Sequence, residues 1–192
     1  MNHYVSIPLT ERHYELASQT VLTETCLKGN VIGKTANLIG RLGEIVVIDY
    51  LNQQEVQFTE DFTVYQDLTI VGSGPLEVKT KNRTTAPKPY YDASIPTYSH
   101  KFQNVSYWVF VSLERNKDYS GDFIRGYHQA HIVGVANRSI TQTGTVVHAG
   151  DYDESNDLTL RMTTINIPLR NLKPIEEATA IWKSRQTERH SS

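Results

Sequence analysis

Up to about residue 54 the apolar positions recur at helical spacing; from Phe58 they alternate or run together, and near residue 174 the helical period returns. In KTANLIGRLGEIVVIDYLNQQ, residues 34–54, Leu38, Leu42, Ile45 and Val46 form a stripe that continues past Asp49, which predicts a helix. Gly40 and Gly43 interrupt it at ~1 kcal/mol each against alanine. That cost implies a close approach of the helix backbone to a neighbour beside Glu44. TERHYELASQTVLTETCL, residues 10–27, predicts a weaker helix capped by Thr10. PIEEATAIWKSRQTER predicts a closing helix over 175–189, with Pro174 at its start and basic residues in its last turn.

Between these helices the pattern is that of a sheet. VYQDLTIVG alternates, GSGP turns and LEVKTK runs back, which reads as a β-hairpin. VSYWVFVSLE, residues 105–114, is strongly apolar and flanked by polar residues, which suits the middle of a sheet. FIRGYHQAHIVGVAN (123–137) predicts one or two further strands and TLRMTTINIPL another; the polar, proline-containing stretch up to about residue 100 predicts none. The order of helices, strands and helix gives one α/β or α+β domain over residues 1–192.

Composition narrows the function classes. An apolar fraction of 39% with 21% charged residues is ordinary for a soluble globular chain. A net charge of -2 predicts no global attraction to a polyanion, so such a partner requires a local basic patch. Cys26 is the one cysteine, which excludes an intrachain disulfide and reads as a small buried apolar residue. MNHYVSIPLTERHYE lacks the basic and apolar regions of a secretory signal, and no apolar run reaches the ~20 residues of a membrane span. The expectation is a cytoplasmic protein with no membrane partner, for which the glycosylation triplets at Asn82, Asn104 and Asn137 carry no weight.

The candidate chemistry lies in the hairpin. Glu77 and Lys79 stand at i and i+2 of a strand and therefore share a face, while Leu76 and Val78 pack on the other. Taken alone, the pair is a solvated ion pair worth ~0–1 kcal/mol. The preceding strand brings Asp67 beside Glu77, and two carboxylates on adjacent strands repel each other unless a cation intervenes. A divalent ion such as Mg²⁺ is held by one or two carboxylates with water and substrate phosphate. Lys79 beside a metal-bound water would then act as base or stabilise charge on phosphorus.

Asp67, nine residues, then Glu77-Val78-Lys79, with Gly40-Arg-Leu-Gly43-Glu44 on the preceding helix, resembles the PD-(D/E)XK nuclease superfamily. Further on, FIRGYHQAHIVGVAN and NIPLRNLKPI look similar to the later strands and closing segment of phage and bacterial members. The resemblance spans most of residues 34–175, with the N- and C-terminal helices as additions. It implies a restriction-endonuclease-like core, a central mixed β-sheet flanked by helices. It also implies that Glu44, Asp67, Glu77 and the Val78 carbonyl arrange one or two Mg²⁺, or Mn²⁺ in its place, for DNA hydrolysis. Lys79 would orient or deprotonate the attacking water. Gln66 stands where many members carry proline, and Gln103 is the candidate for a glutamine that some members add. Thr80, facing away from Lys79, reads as structural.

From Lys79 to Lys101 the chain holds Lys79, Lys81, Arg83, Lys88 and Lys101 against one acid, Asp92, with Tyr90, Tyr91 and Tyr98 interleaved. Such a stretch either grips phosphates and stacks on bases, or is a mobile solvated loop. Other motifs fail on spacing. GNVIGKT is one residue short of a phosphate-binding loop and follows no strand. DYDESND (151–157) has Asn156 where a calcium loop needs glycine and Met162 where it needs glutamate, so it reads as an acidic surface loop. His128 and His131 on one strand point to opposite faces and read as ordinary hydrogen-bonded or exposed side chains. No separate recognition module fits in the chain, so structure-directed or weakly specific cleavage, or specificity through a homodimer, is expected. The rival readings are a non-cleaving nucleic-acid- or protein-binding module on the same fold, and an unrelated α+β protein with a surface Glu77–Lys79 pair.

Overall fold

The helices, the hairpin and the strands near 107–115 and 127–137 fall where the apolar pattern puts them, in a computed structural model that describes residues 4–23, 33–61, 66–97, 104–154 and 158–190. The helices are α1 (Glu11–Thr23), α2 (Gly33–Gln53), a four-residue α3 (Arg138–Thr141) and α4 (Ile175–His190). The main strands are β1 (Val5–Pro8), β2 (Phe58–Glu60), β3 (Leu68–Ile70), β4 (Gly74–Arg83), β5 (Asp92–Pro96), β6 (Tyr107–Arg115) and β7 (Tyr127–Asn137). Short strands β8 (Thr145–Val147), β9 (Tyr152–Asp153), β10 (Leu158–Thr159) and β11 (Thr164–Pro168) follow.

The central sheet is mixed, in the order β1-β7-β6-β4-β3-β2. Only β4 and β6 among its neighbours run parallel. Such a pair needs a long crossover, and residues 84–106 supply it. β6 lies mid-sheet and is buried along most of its length, as its strongly apolar sequence requires. Its side chains alternate between two cores. Val109, Val111 and Leu113 join the helices' cluster with Leu42, Val46 and Trp182, whereas Trp108 and Phe110 meet Ile95 and Ile167 of a small second sheet. That second sheet, ordered β5-β11-β8, covers the face the helices leave open.

Helix α2 is buried on more than one stripe: Ile45, Val46, Val47 and Ile48 are all buried, because α1 packs on it as well as the sheet. The predicted close approach holds for one glycine and not the other. A Cβ on Gly43 would stand 2.0 Å from Thr80 Oγ1 of β4, so α2 lies directly on the strand that carries Glu77 and Lys79. At Gly40 nothing lies within 4 Å, and the structure gives that glycine no packing reason. Thr80 thus has the structural role expected of it, facing α2.

Two expectations need correction. The stretch after Lys81 predicted no strand, yet it contains β5, whose partner β11 is distant in sequence. The acidic loop 151–157 is not wholly at the surface: Asp153 is buried and accepts from Asn166 Nδ2 at 2.7 Å. The N-terminal helix begins after Thr10 as predicted, although the Thr10 hydroxyl pairs with His13 Nδ1 at 2.7 Å. Cys26, Lys101, Gln103 and Tyr98 lie outside the described residues. Helix α4, predicted as an addition, contributes Ile175, Ala178 and Trp182 to the main core.

Candidate active site

Three parts of the chain carry the four candidate side chains, and Glu44, Glu77 and Lys79 all lie near enough to Asp67 for their charges to act on it. The hairpin register pairs Leu68 with Leu76, and the next step out puts Asp67 across from Glu77. Two hydrogen bonds fix it there: Asp67 N–H donates to Leu76 O at 3.1 Å, and Val78 N–H donates to Asp67 Oδ2 at 2.7 Å. The turn that sets this register passes through Gly72 (φ 77°) and Gly74 (φ 99°), left-handed backbone that glycine adopts without strain. Glu44 arrives from α2, one residue beyond the Gly43–Thr80 contact.

The charges converge on Asp67. Burial raises its pKa well above the ordinary carboxyl value, and the nearby carboxylates of Glu44 and Glu77 raise it further. The Val78 N–H and the Lys79 ammonium oppose that rise without cancelling it. Glu77 itself is buried at 8% exposure, and Lys79 Nζ donates to its Oε1 at 2.5 Å. The pair therefore exists, but not as the solvated pair that sequence spacing alone suggests. Arg41 Nη1 donates to Glu44 Oε2 at 2.9 Å on the same helix.

Each acid is thus turned toward a protein donor: Glu77 to Lys79, Glu44 to Arg41, Asp67 to the Val78 N–H. In these rotamers no three His, Cys, Asp or Glu side chains among the described residues form a ready metal cage. The donor set nevertheless fits a hard divalent cation. It consists of carboxylates only, from Glu44, Asp67 and Glu77, and the Asp67 pKa is raised first by burial and then by the charges of the other two. Val78 enters through its N–H to Asp67.

The basic stretch divides in two. Lys81, on the face of β4 shared by Glu77 and Lys79, donates to Asp92 O and Ser94 Oγ of β5, both at 2.8 Å. Burial, with Arg83 next in effect, lowers its pKa to about 7. Ser94 Oγ donates to Asn166 Oδ1 at 2.6 Å, and Asn166 in turn donates to Asp153. Lys81 therefore begins a buried polar chain through β5, β11 and β9. Sequence reasoning missed this network, because its members are far apart in the chain and none belongs to a recognisable spacing. Arg83 is also lowered by burial; its Nη2 donates to Asp92 O at 3.2 Å and its guanidinium lies 4.3 Å from the Tyr91 ring centroid. Lys88 and Tyr90 are exposed.

The buried histidine fits its hydrogen-bonded reading. His131 Nδ1 pairs with Ser6 Oγ at 2.8 Å and Nε2 with Glu114 Oε2 at 3.0 Å. No protein-family model, curated protein or solved structure gives a significant match to the chain. Among the described residues no helix is long and apolar enough to cross a membrane.

Proposed function

We propose that the chain is a metal-dependent deoxyribonuclease of the PD-(D/E)XK type, with a restriction-endonuclease-like core and Mg²⁺, or Mn²⁺, as its ion. One observation carries the reading: Glu44, Glu77 and Lys79, from a helix and a strand, all act on the buried carboxyl of Asp67. Glu77 does pair with Lys79, but an ion pair alone would have no use for two further acids beside it. Burying like charges together costs stability unless a cation compensates. The helix–hairpin–strand order of α2, β3, β4 and β6 agrees with the same reading.

Asp67 and Glu77 would hold the ion directly, Glu44 would hold it or one of its waters, and the Val78 carbonyl would complete the set. When bound, the ion supplies an activated water and neutralises charge on the phosphoryl oxygens. The chain's own part is to position and to move a proton. Val78 N–H and Leu76 O lock Asp67 in register, and Gly43 brings α2 close enough for Glu44 to take part. Lys79 Nζ, which donates to Glu77 Oε1, would be released once Glu77 turns to a cation. It would then orient the attacking water, or take its proton after first giving one of its own to solvent.

Incubation with circular, linear and branched DNA in Mg²⁺, Mn²⁺ or chelator tests the reading. Cleavage is expected only with metal. Asp67→Ala should abolish it and Lys79→Ala should lower it by about 10²–10⁴-fold, both keeping the wild-type circular dichroism spectrum. Full activity in either variant at equal folded concentration would sink the assignment, and a non-cleaving binding module on the same fold would take its place.

A further inference from the structure

We infer that the loop between β4 and β5 is a stacking site for an unpaired nucleobase, so that the DNA substrate carries a single-stranded segment beside the cleaved bond. This rests on the proposed nuclease site for the position of that bond. The loop is held in place rather than solvated and loose. Tyr91 N–H donates to Lys88 O at 2.9 Å, while Leu169 and Arg170 donate their N–H groups to Tyr91 O and Pro89 O at 2.8 and 3.1 Å.

On this frame Tyr90 and Tyr91 meet edge to face, with ring centroids 5.1 Å apart. Arg83 lies over the Tyr91 ring and Lys88 stands 5.8 Å from the Tyr90 centroid. Tyr90 is 55% exposed, so an aromatic surface faces solvent next to cations. Arg170, exposed and tied to Pro89 through its backbone, adds a second charged side chain at the edge of the loop. The tyrosine face stacks on a base, and the cations meet the phosphates on either side.

This chemistry selects a strand over a duplex. Paired bases offer a protein their edges in the grooves, whereas their faces are stacked on one another. An exposed ring has a base to stack on only where the strand is unpaired. Position agrees. Arg83 follows Lys79 by four residues of β4, about 13 Å, and its guanidinium lies against Tyr91. That distance is a few nucleotides at ~3.4 Å per stacked residue of one strand. Lys81 between them is tied to β5 and meets no phosphate. A strand with its phosphodiester at Lys79 would therefore cross the outside of the loop and present an unstacked base to Tyr90.

The test is fluorescence anisotropy in chelator, with a labelled oligothymidylate strand and a duplex of equal length. Wild type should bind the strand at least about tenfold more tightly than the duplex. Tyr90→Ala should weaken strand binding about five- to hundredfold, the loss of one stacked base, and leave duplex binding unchanged. Tyr90→Phe should bind as wild type, and Arg170→Gln should lower the salt slope of strand binding by about 0.7. Equal affinity for strand and duplex, or wild-type strand affinity in Tyr90→Ala, overturns the inference. Because the assay needs no metal, the two readings fail separately. A protein that cleaves with metal but prefers duplex loses the strand site and keeps the nuclease assignment. One that holds the strand through Tyr90 and cleaves nothing keeps the site and loses the nuclease.

Discussion

The two halves of one face of β4 treat charge in opposite ways. At the upstream half, Glu77 and Lys79 pair with each other while Asp67 stays under the repulsion of Glu77 and Glu44. At the downstream half, Lys81 is tied to Asp92 O and Ser94, and the chain of polar contacts continues through Asn166 to Asp153. Both halves are made of alternating charged residues on one strand. Downstream, neutral and oppositely charged partners satisfy the buried cation, as a structural network must. Upstream, three acids are gathered near one another, and although each has a protein donor, burial and the neighbouring carboxylates still raise the Asp67 pKa. The half that gathers like charges is the one to expect chemistry from.

The sharpest way to break this comparison is to remove one lysine from each half. Lys79→Ala should lower DNA cleavage by about 10²–10⁴-fold, the usual contribution of a positioned base, and shift the urea midpoint little. Lys81→Ala should do the reverse. It leaves Ser94 Oγ short of a donor and Asp92 O to Arg83, at a cost of about 1–3 kcal/mol, and should keep most of the cleavage rate of its folded fraction. Equal losses of activity in the two variants, measured at equal folded concentration, would remove the distinction between the halves.

How much of this was legible in the sequence follows the range of the interactions. The α2 stripe, the β3–β4 hairpin and β6 are set by period and by a local turn, and all three stand where the pattern puts them. The placing of Asp67 opposite Glu77 follows from the same turn. β5 was not legible, because it is a strand only through its pairing with β11, whose sequence lies about seventy residues on. Lys81 was misjudged in kind for the same reason. Its neighbours on the strand mark it as one more cation of a basic run, and only Ser94, Asn166 and Asp153 make it a buried one. Gly43 illustrates the middle case: its cost in a helix signalled a close approach, but that Thr80 is the neighbour needed the packed structure.

The glycines of α2 sharpen the upstream half alone. Gly43→Ala places a methyl 2.0 Å from Thr80 Oγ1, so α2 must lift from β4. The overlap should cost about 1–3 kcal/mol despite the gain in helix propensity. It should also carry Glu44 away from Asp67 and depress cleavage beyond what unfolding explains. Gly40→Ala, with open space around it, should instead stabilise by up to about 1 kcal/mol and leave activity intact. Chemical denaturation of the two variants beside wild type checks both signs; a stabilised Gly43→Ala would mean that Glu44 is not positioned by this contact.

The smallest effects are in titration, where the two halves should move in opposite directions. Asp67 has its folded pKa raised above the unfolded value of ~3.9. Between that value and its folded pKa the native state holds a proton that the unfolded chain has lost, so stability falls as pH rises through the window. Lys81 has its folded pKa lowered to about 7 from an unfolded value near 10.4. Between those two values the unfolded chain holds the proton and the native state does not, so stability rises with pH. Each slope is at most about 1.4 kcal/mol per pH unit, and His13, also lowered by burial, adds its own rise below pH ~6.5. Urea midpoints in chelator, taken as the difference between wild type and Asp67→Asn or Lys81→Met, isolate each group. Asp67→Asn should remove the fall and make the metal-free protein more stable at neutral pH by about 1 kcal/mol, as relief of a strained functional site does. It should also remove the stabilisation that Mg²⁺ or Mn²⁺ gives to wild type, a gain that grows with pH as the cation displaces the Asp67 proton. If Asp67→Asn instead destabilises the metal-free protein across the whole range, the three acids are a structural cluster after all, and both halves of β4 are held together for the same reason.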